Sequence, residues 1–378
     1  MDRRRKIRVM DKDAEGWLNS FSSKKTKIVW AGIPGSLCNL NCSYCYVGEN
    51  KGKAGKFLYS LEHMLKCFEP KKFGGPIFFG AASSGETLLW GEIVEFTKGM
   101  LSQGHIVSYT TNMTVTPVIK AFCDFPAELR SRLELDASLH YLELKRKRLL
   151  DTFFENLRML KTAGISIAIF LCISDIYIPY LREISELCKK EIGLLPIAGM
   201  VRNYERNGAR IAAKYSPDVD KLVKETCDVR QWELQKRIYG QRRMEFCHAG
   251  EYSINVNLGN GDYTKCWRSS GIEKDWEKSP FAIGIKPLKR VPFVNKVINR
   301  IFREPSQIMG NMFKNPNKPI TFKPIGMCPF YDCVCASYLC WGLIPELDVE
   351  THSKTFFTRE FVSKGVWNFM DSKIGQRE

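Results

Sequence analysis

The sequence predicts an α/β protein in which a partial (β/α)6 TIM-like barrel precedes a small C-terminal domain rich in cysteine. From residue 27 to 205, short apolar runs alternate with amphipathic stretches, which is typical of repeated βα units around a parallel sheet. The cysteines fall in two dense clusters, and 378 residues are enough for two domains. Ligands of such barrels gather at the carboxyl ends of the strands, so we expect the functional site there.

The elements follow from the pattern in chain order. Gly104 and Gly164 are predicted to end helices before the next strand. The strands are expected near 28–33, 76–80, 105–110, 133–139, 166–173 and 194–200, and the helices near 60–68, 90–102, 115–123, 148–162 and 178–190. The predicted units are a basic N-terminal extension (1–26), the barrel (27–205), a helical linker (206–245), the cysteine-rich domain (246–345) and a tail (346–378).

The composition excludes several classes of protein. With 44% hydrophobic and 26% charged residues the chain is an ordinary globular protein. No apolar run approaches the roughly 20 residues that span a bilayer. The N-terminus is basic but lacks the apolar region of a secretory signal, so a cytoplasmic location is expected. In that reducing compartment, the 14 cysteines indicate metal or cluster ligation rather than disulfides.

The first cysteine cluster directly follows the first predicted strand. In CNLNCSYC, a C-x3-C-x2-C array places Cys38, Cys42 and Cys45 on one short loop. Three thiolates can hold three irons of a [4Fe–4S] cluster and leave the fourth iron open, as a catalytic metal keeps a free position. A zinc site completed by one further ligand is the alternative.

This array, with aromatic Tyr44 before its third cysteine, resembles the cluster loop of the radical S-adenosylmethionine (radical SAM) superfamily. The resemblance implies that S-adenosylmethionine chelates the open iron of a [4Fe–4S] cluster. Reductive cleavage then gives a 5′-deoxyadenosyl radical that abstracts hydrogen from a substrate. It also implies an external one-electron donor such as flavodoxin or ferredoxin.

Further segments resemble the cofactor-binding segments of that superfamily. In SSGETLL, Gly85 and Glu86 correspond to a segment that receives the methionine ammonium, with Ser84 in place of a glycine. In TTNM, Asn112 corresponds to a residue lining the same cavity, with Met113 in place of glycine. A solvated Glu at a helix start and a turn-forming Asn are the alternatives.

The fourth predicted strand carries two more candidates. Ser138 stands where the superfamily often places a polar contact to the ribose or carboxylate of the cofactor. His140 is a candidate catalytic residue for substrate contact or proton transfer, or else a hydrogen-bonded structural histidine.

The second cysteine cluster begins with a predicted hairpin. Alternating apolar residues before Gly-Asn-Gly place Cys247 and Cys266 at one end of a two-stranded ribbon. The ribbon resembles the auxiliary-cluster extension called SPASM, or its shorter version, twitch. That resemblance implies at least one auxiliary [4Fe–4S] cluster. Its ligands would be Cys247, Cys266 and two of the later four cysteines, Cys328, Cys333, Cys335 and Cys340. Cys328 and Cys333 are the preferred pair. A second cluster and a zinc knuckle stay open.

The net charge of +16 favours anionic partners, and residues 286–323 form a basic insertion that predicts an amphipathic helix. It could dock an anionic surface or ligand, or simply pack on the main body through its apolar stripe. The substrate is expected to be a carbohydrate or other small polar molecule, which is oxidised or epimerised. The alternatives are a maturase that modifies a ribosomal peptide or protein, and a non-catalytic metal-binding protein. The remaining cysteines are expected to be mostly buried.

Overall fold

The computed structural model describes 27–45, 47, 51–203, 210–211, 215–238, 246–247, 249–251, 253–266, 308–324, 326–327 and 356–357. The predicted ligands Cys328, Cys333, Cys335 and Cys340 lie outside the described residues, as do the N-terminal extension and the apolar stripe of the basic insertion.

Six parallel strands form the core of the sheet in the order of the chain, as predicted for repeated βα units. Each pairs in parallel with the next, and the connections carry helices, as parallel pairing requires. The strands are β1 (Ile28–Ile33), β2 (Phe78–Ser83), β3 (Ile106–Thr111), β4 (Leu133–Ser138), β5 (Ser166–Ile173) and β6 (Ile197–Met200).

The helices begin and end at local signals in the sequence. The Ser60 side chain accepts a hydrogen bond from the His63 backbone at the start of the first helix. The long helix before β5 ends at Gly164, whose φ of 72° confirms the predicted stop. The helices are α1 (Leu61–Cys67), α2 (Ile93–Ser102), α3 (Thr116–Cys123), α4 (Ala127–Arg130), α5 (Tyr141–Arg146), α6 (Leu150–Ala163), α7 (Leu181–Ile192), α8 (Pro217–Thr226) and α9 (Arg230–Ile238), with 3-10 turns at Pro70–Lys72, Thr87–Leu89 and Asp175–Tyr180. No helix in the described part of the chain is long and apolar enough to cross a membrane.

The later strands either add to the barrel sheet or form two small two-stranded sheets, β7 with β8 and β9 with β13. They are β7 (Arg202–Asn203), β8 (Arg210–Ile211), β9 (Phe246–Cys247), β10 (Ser253–Asn257), β11 (Asp262–Thr264), β12 (Ile308–Asn311), β13 (Gly326–Met327) and β14 (Phe356–Phe357). The predicted hairpin is confirmed as β10 and β11, but β10 also pairs in parallel with β1, and β12 adds to β11. The hairpin expected to begin a separate domain therefore extends the barrel sheet. The reason is that β1 would otherwise leave its backbone groups unpaired at an edge.

The described end of the basic insertion contains strand β12, whereas the predicted amphipathic helix falls outside the described residues and stays a prediction. Beyond that strand, Met312 and Phe313 are buried in the core, and the Phe313 carbonyl lies 2.6 Å from His63 Nε2 on α1. This end of the insertion is thus part of the main body.

The strands alternate between a core face and an inner face. In β4, Leu133, Leu135 and Ala137 are buried in the hydrophobic core, whereas Asp136 and Ser138 line a cavity inside the sheet. Residues of all six strands, and of β10, line that cavity. The sheet therefore curves around the cavity as an incomplete barrel.

Candidate active site

The cavity, of about 560 Å³, lies at the carboxyl ends of the barrel strands. It brings together every site residue that was predicted in the barrel half of the chain. These are Cys38, Cys42, Cys45, Gly85, Glu86, Asn112, Ser138 and His140.

The three cysteines of the first cluster occupy one loop after β1. Cys38 is exposed to the cavity, whereas Cys42 and Cys45 are half-buried. Burial, followed by the negative charges of Glu143 and of the other two thiols, raises the pKa of Cys42 to about 12. The three thiols therefore lie close enough to repel one another as thiolates, and a bound cation would relieve that repulsion.

Two N–H groups point at the first thiol of the loop. The Leu40 backbone N–H donates to Cys38 Sγ at 3.4 Å, and Asn112 Nδ2 donates to the same sulfur at 3.9 Å. Hydrogen bonds to sulfur stabilise the thiolate and tune the potential of any cluster that it holds.

Gly85 packs directly on the backbone of the cysteine loop. A Cβ at this position would lie 1.9 Å from the Leu37 carbonyl oxygen. The next backbone N–H, of Glu86, donates to that same oxygen at 2.7 Å. No residue with a side chain fits here without moving the loop, so Gly85 sets the distance between the two segments.

The Glu86 carboxylate joins the second segment to the third. It accepts hydrogen bonds from Thr111 Oγ1 at 2.5 Å, from the Asn112 N–H at 2.7 Å and from the Leu88 N–H at 2.9 Å. Burial raises its pKa, and these three donors oppose that shift. The carboxylate is thus tied to the protein, and its contact with a methionine ammonium stays a prediction.

Asn112 joins the third segment to the cysteine loop. Its Nδ2 donates to Asn39 Oδ1 at 2.7 Å, while its Oδ1 accepts from Thr114 Oγ1 at 2.6 Å. The following residue, Met113, has a φ of 60°, in the left-handed region that favours glycine. Its backbone therefore takes a conformation natural to glycine, although a buried methionine side chain occupies the position.

His140 follows the end of β4 and contacts the cysteine loop. Its Nδ1 lies 2.6 Å from the Tyr44 hydroxyl, which also accepts a hydrogen bond from the Tyr177 hydroxyl at 3.0 Å. Burial lowers the pKa of His140 to about 4, so the imidazole is neutral near pH 7. Ser138 lines the cavity two residues earlier.

Sequence reasoning missed several polar residues that line the cavity, including the following four. Asp136 lies on the inner face of β4, and Cys172, exposed at the end of β5, was expected to be buried. Gln231 and Gln235 come from α9, within the predicted linker. Single polar residues without a spacing pattern give no signal in the sequence.

The described part of the second cysteine cluster is consistent in its backbone with the predicted grouping. Strand β9 pairs with β13 so that Cys247 lies opposite Gly326, two residues before Cys328. Cys266 is half-buried just beyond β11, and the neighbouring Lys265 donates through Nζ to the Pro324 carbonyl at 2.9 Å. Cys247 and Cys266 are therefore both carried by segments that lie beside the segment leading to Cys328.

The donor set at the first cluster suits an iron–sulfur cluster. Three thiols of one loop face a common cavity and have N–H donors beside them, and a fourth iron position would face the same cavity. Within the described residues, no three histidine, cysteine or carboxylate side chains converge on a single-ion site.

The comparisons with known proteins give similarity at the level of structure alone. No protein-family model matches the chain, and no curated protein matches it. Streptococcus suis SuiB bound to S-adenosylmethionine matches with a TM-score of 0.49 and 13% identity, over 70% of this chain and 68% of SuiB. The SuiB structure without that ligand is covered over 66% of its length.

Two other solved structures are similar over less of this chain. The structure of anSMEcpe with bound AdoMet and the Cp18Cys peptide has a TM-score of 0.46 and 15% identity, over 64% of this chain and 74% of that one. Methylornithine synthase (PylB) has a TM-score of 0.35 and 17% identity, over 58% of this chain and 69% of that one. All three proteins are radical SAM enzymes, the superfamily whose cluster loop this chain resembles.

Proposed function

We propose that this protein is a radical SAM enzyme that reductively cleaves S-adenosylmethionine and uses the resulting 5′-deoxyadenosyl radical to abstract hydrogen from a substrate. The observation that carries the proposal is the packing of the cysteine loop against the segments at Gly85 and Asn112. All three face one cavity at the carboxyl ends of the strands.

Cys38, Cys42 and Cys45 would hold a [4Fe–4S] cluster, which when bound supplies the electron for cleavage. Gly85 holds the second segment against the loop, and the Asn112 amide donates to the Cys38 sulfur. Ser138 offers a hydroxyl for the ribose or carboxylate of the cofactor. The curved sheet surrounds these groups and keeps bulk water from a reactive radical.

The second cysteine cluster would hold an auxiliary [4Fe–4S] cluster of the SPASM or twitch kind. The adjacency of Cys247 to the segment that leads to Cys328 supports this proposal. Electrons would come from a flavodoxin or ferredoxin.

Two substrate classes follow from the sequence, and the comparisons bear on the choice. The ligands named in the similar structures are S-adenosylmethionine, the precursor peptide SuiA and the Cp18Cys and Kp18Cys peptides; none of the ligands named for them is a carbohydrate. Modification of a peptide or protein is therefore the substrate class to test first, and a carbohydrate or other small polar molecule the second.

The test is chemical analysis of anaerobically purified and reconstituted protein. We expect about eight irons per chain, falling to about four when Cys38, Cys42 and Cys45 are all replaced by Ala. Under reducing conditions the wild type should form 5′-deoxyadenosine, and the triple variant should not. Cys123→Ala, on α3 and away from the cavity, is the matched control and should keep both properties.

Zinc in place of iron, or wild-type protein that never forms 5′-deoxyadenosine, would contradict the proposal. Either result would favour the non-catalytic metal-binding alternative.

A further inference from the structure

Two segments of the chain that contact the cysteine loop are strongly basic. The stretch 51–58 (KGKAGKFL) and the stretch 145–148 (KRKR) at the end of α5 together hold seven lysine and arginine residues and no acidic residue. Six of these seven residues are exposed, and Lys51 is half-buried. We call the set the basic rim. Its members are Lys51, Lys53, Lys56, Lys145, Arg146, Lys147 and Arg148.

Both segments of the basic rim donate hydrogen bonds to the backbone of the cysteine loop. Lys147 Nζ donates at 2.7 Å to the carbonyl of Asn39, the residue that follows Cys38. Lys51 Nζ donates at 3.4 Å to the carbonyl of Cys42. Positive charge from two separate parts of the chain therefore adjoins two of the three predicted cluster ligands.

The backbone of the first segment is fixed against the start of the same loop. The Ser36 N–H donates to the Lys53 carbonyl at 2.8 Å. A Cβ at Gly35 would lie 2.6 Å from the Gly55 backbone nitrogen, so the two chains are in direct contact. Lys56 is the next residue after that contact, and its charge is thus held beside the loop.

Only part of the charge of the basic rim is neutralised. The ion pairs of Lys145 and Arg146 offset two of the seven charges. Within the described part of the chain, no carboxylate forms an ion pair with Lys56, Lys147 or Arg148. An excess of positive charge therefore faces the solvent directly beside the loop.

We infer that the basic rim is the docking surface for a small one-electron donor protein with an acidic surface. The inference rests on the proposed function, in which the donor gives up one electron to the cluster for each cleavage of S-adenosylmethionine. Because electron transfer slows steeply with distance, the donor must dock close to the thiolates, and the rim adjoins the loop that carries them. Charge complementarity would steer the donor to this surface and fix its orientation there.

An acidic segment of a peptide substrate is the other anionic partner that a basic surface could bind. Its reacting part would have to enter the cavity, so the charges that hold it should lie along the cavity. Lys51 is the one member of the basic rim among the described residues that line the cavity. The position of the other six members outside it favours the electron donor.

The first test measures the binding of oxidised flavodoxin to the reconstituted enzyme by calorimetry, so that no electron moves. The double variant with Lys56→Glu and Arg148→Glu reverses two exposed charges of the rim and keeps Lys51 and Lys147, which donate to the loop. We expect it to bind flavodoxin at least about tenfold more weakly than the wild type does.

The matched control makes the same change in net charge at the opposite end of the barrel. Lys120 and Lys189 are exposed in the last turns of α3 and α7, which end before β4 and β6 begin. The double variant with Lys120→Glu and Lys189→Glu should bind flavodoxin as the wild type does. Wild-type binding should itself weaken at least about tenfold between about 20 and about 200 mM salt, a measurement that needs no substitution.

The second test compares two reductants. Dithionite is small and needs no docking surface, so the ratio of flavodoxin-driven to dithionite-driven formation of 5′-deoxyadenosine reports the docking step. Below saturation with flavodoxin, we expect this ratio to fall at least about tenfold in the rim variant and to keep its wild-type value in the control variant.

Binding that the rim variant weakens no more than the control variant does, or wild-type binding that salt leaves unchanged, would overturn the inference. An equal fall of both rates in the rim variant would overturn it too, because the rim would then support the loop or hold an acidic peptide substrate. The proposed function fails in a different way, when dithionite gives no 5′-deoxyadenosine with the wild type.

Discussion

The Tyr44 hydroxyl lies 2.6 Å from Nδ1 of His140, and this contact ties the cysteine loop to the end of β4. Tyr177, in the turn after β5, donates to the same hydroxyl. The aromatic residue before the third cysteine therefore has a mechanical role, because it fixes one side of the loop while Gly85 and Asn112 fix the other.

Tyr44→Phe removes both of these hydrogen bonds while keeping the ring. We expect the loop to hold its cluster less well, so that iron content and the rate of 5′-deoxyadenosine formation both fall, the rate by about five- to tenfold. Tyr59→Phe is the matched control, since Tyr59 stacks on His63 outside the cavity. A Tyr44→Phe protein with normal iron and normal rate would show that the contact is dispensable.

Gly85→Ala tests the close approach of the second segment to the cysteine loop. The added methyl would lie 1.9 Å from the Leu37 carbonyl oxygen, so one segment must move. We expect cleavage of S-adenosylmethionine to fall by about a hundredfold or more, since misplacement by about 1 Å has costs of this size. Gly91→Ala is the control, because a Cβ at Gly91 meets nothing within 4 Å. Equal rates for the two variants would contradict this account.

The backbone strain at Met113 can be measured by comparing the stability of two variants. Both Met113→Gly and Met113→Ala remove a buried side chain, at a cost of about 2–5 kcal/mol in the free energy of unfolding. At a φ of 60°, alanine is strained by about 1 kcal/mol and glycine is not. We therefore expect Met113→Gly to be at least as stable as Met113→Ala in denaturant unfolding.

The opposite order is expected at Met64, which is equally buried but lies inside helix α1. There glycine should be less stable than alanine by about 0.5–1 kcal/mol. If the alanine variant were more stable than the glycine variant at both positions, the Met113 backbone would not be strained.

His105 makes the stability of the protein sensitive to acid. Burial lowers its pKa to about 4, and its ring accepts the Ile77 N–H through Nδ1 while Nε2 lies 2.8 Å from the Phe68 carbonyl. Between pH 6.5 and 4 the unfolded chain binds a proton at this residue and the folded chain does not, so the free energy of unfolding falls as the pH falls. The contribution is on the order of 2–3 kcal/mol, complete above pH 6.5 and lost toward pH 4.

Denaturant unfolding at pH 7.5 and pH 5.0 would measure this loss. His105→Gln should be less stable than the wild type at pH 7.5 but should lose less stability on acidification. An unchanged difference between the two pH values would show that other groups cause the acid sensitivity.

Local pattern predicted much of the barrel. Strand β5 was predicted at 166–173 and is Ser166–Ile173, because a continuous apolar run between a helix-ending glycine and a polar turn has few alternatives. The cysteine loop was found for a similar reason, since ligands of one cluster must lie close together in the chain when a single loop carries them.

The features that the sequence could not predict depend on contacts between residues that are far apart in the chain. The place of β10 beside β1 comes from backbone groups far apart in the chain, and nothing in SINVN indicates its partner. Gln231 lines the same cavity as Asp136 because α9 packs over β6, where Gln235 accepts the Met200 N–H. The residues 206–245 therefore do more than link two parts of the chain.

The pairing of Ile28 with Ser253 has a consequence for the order of events during synthesis. The first strand leaves the ribosome long before its partner is made, so it cannot reach its final state until translation has passed the hairpin. One edge of β1 therefore stays open until the hairpin is made, whereas the cysteine loop can already contact the ends of β2, β3 and β4.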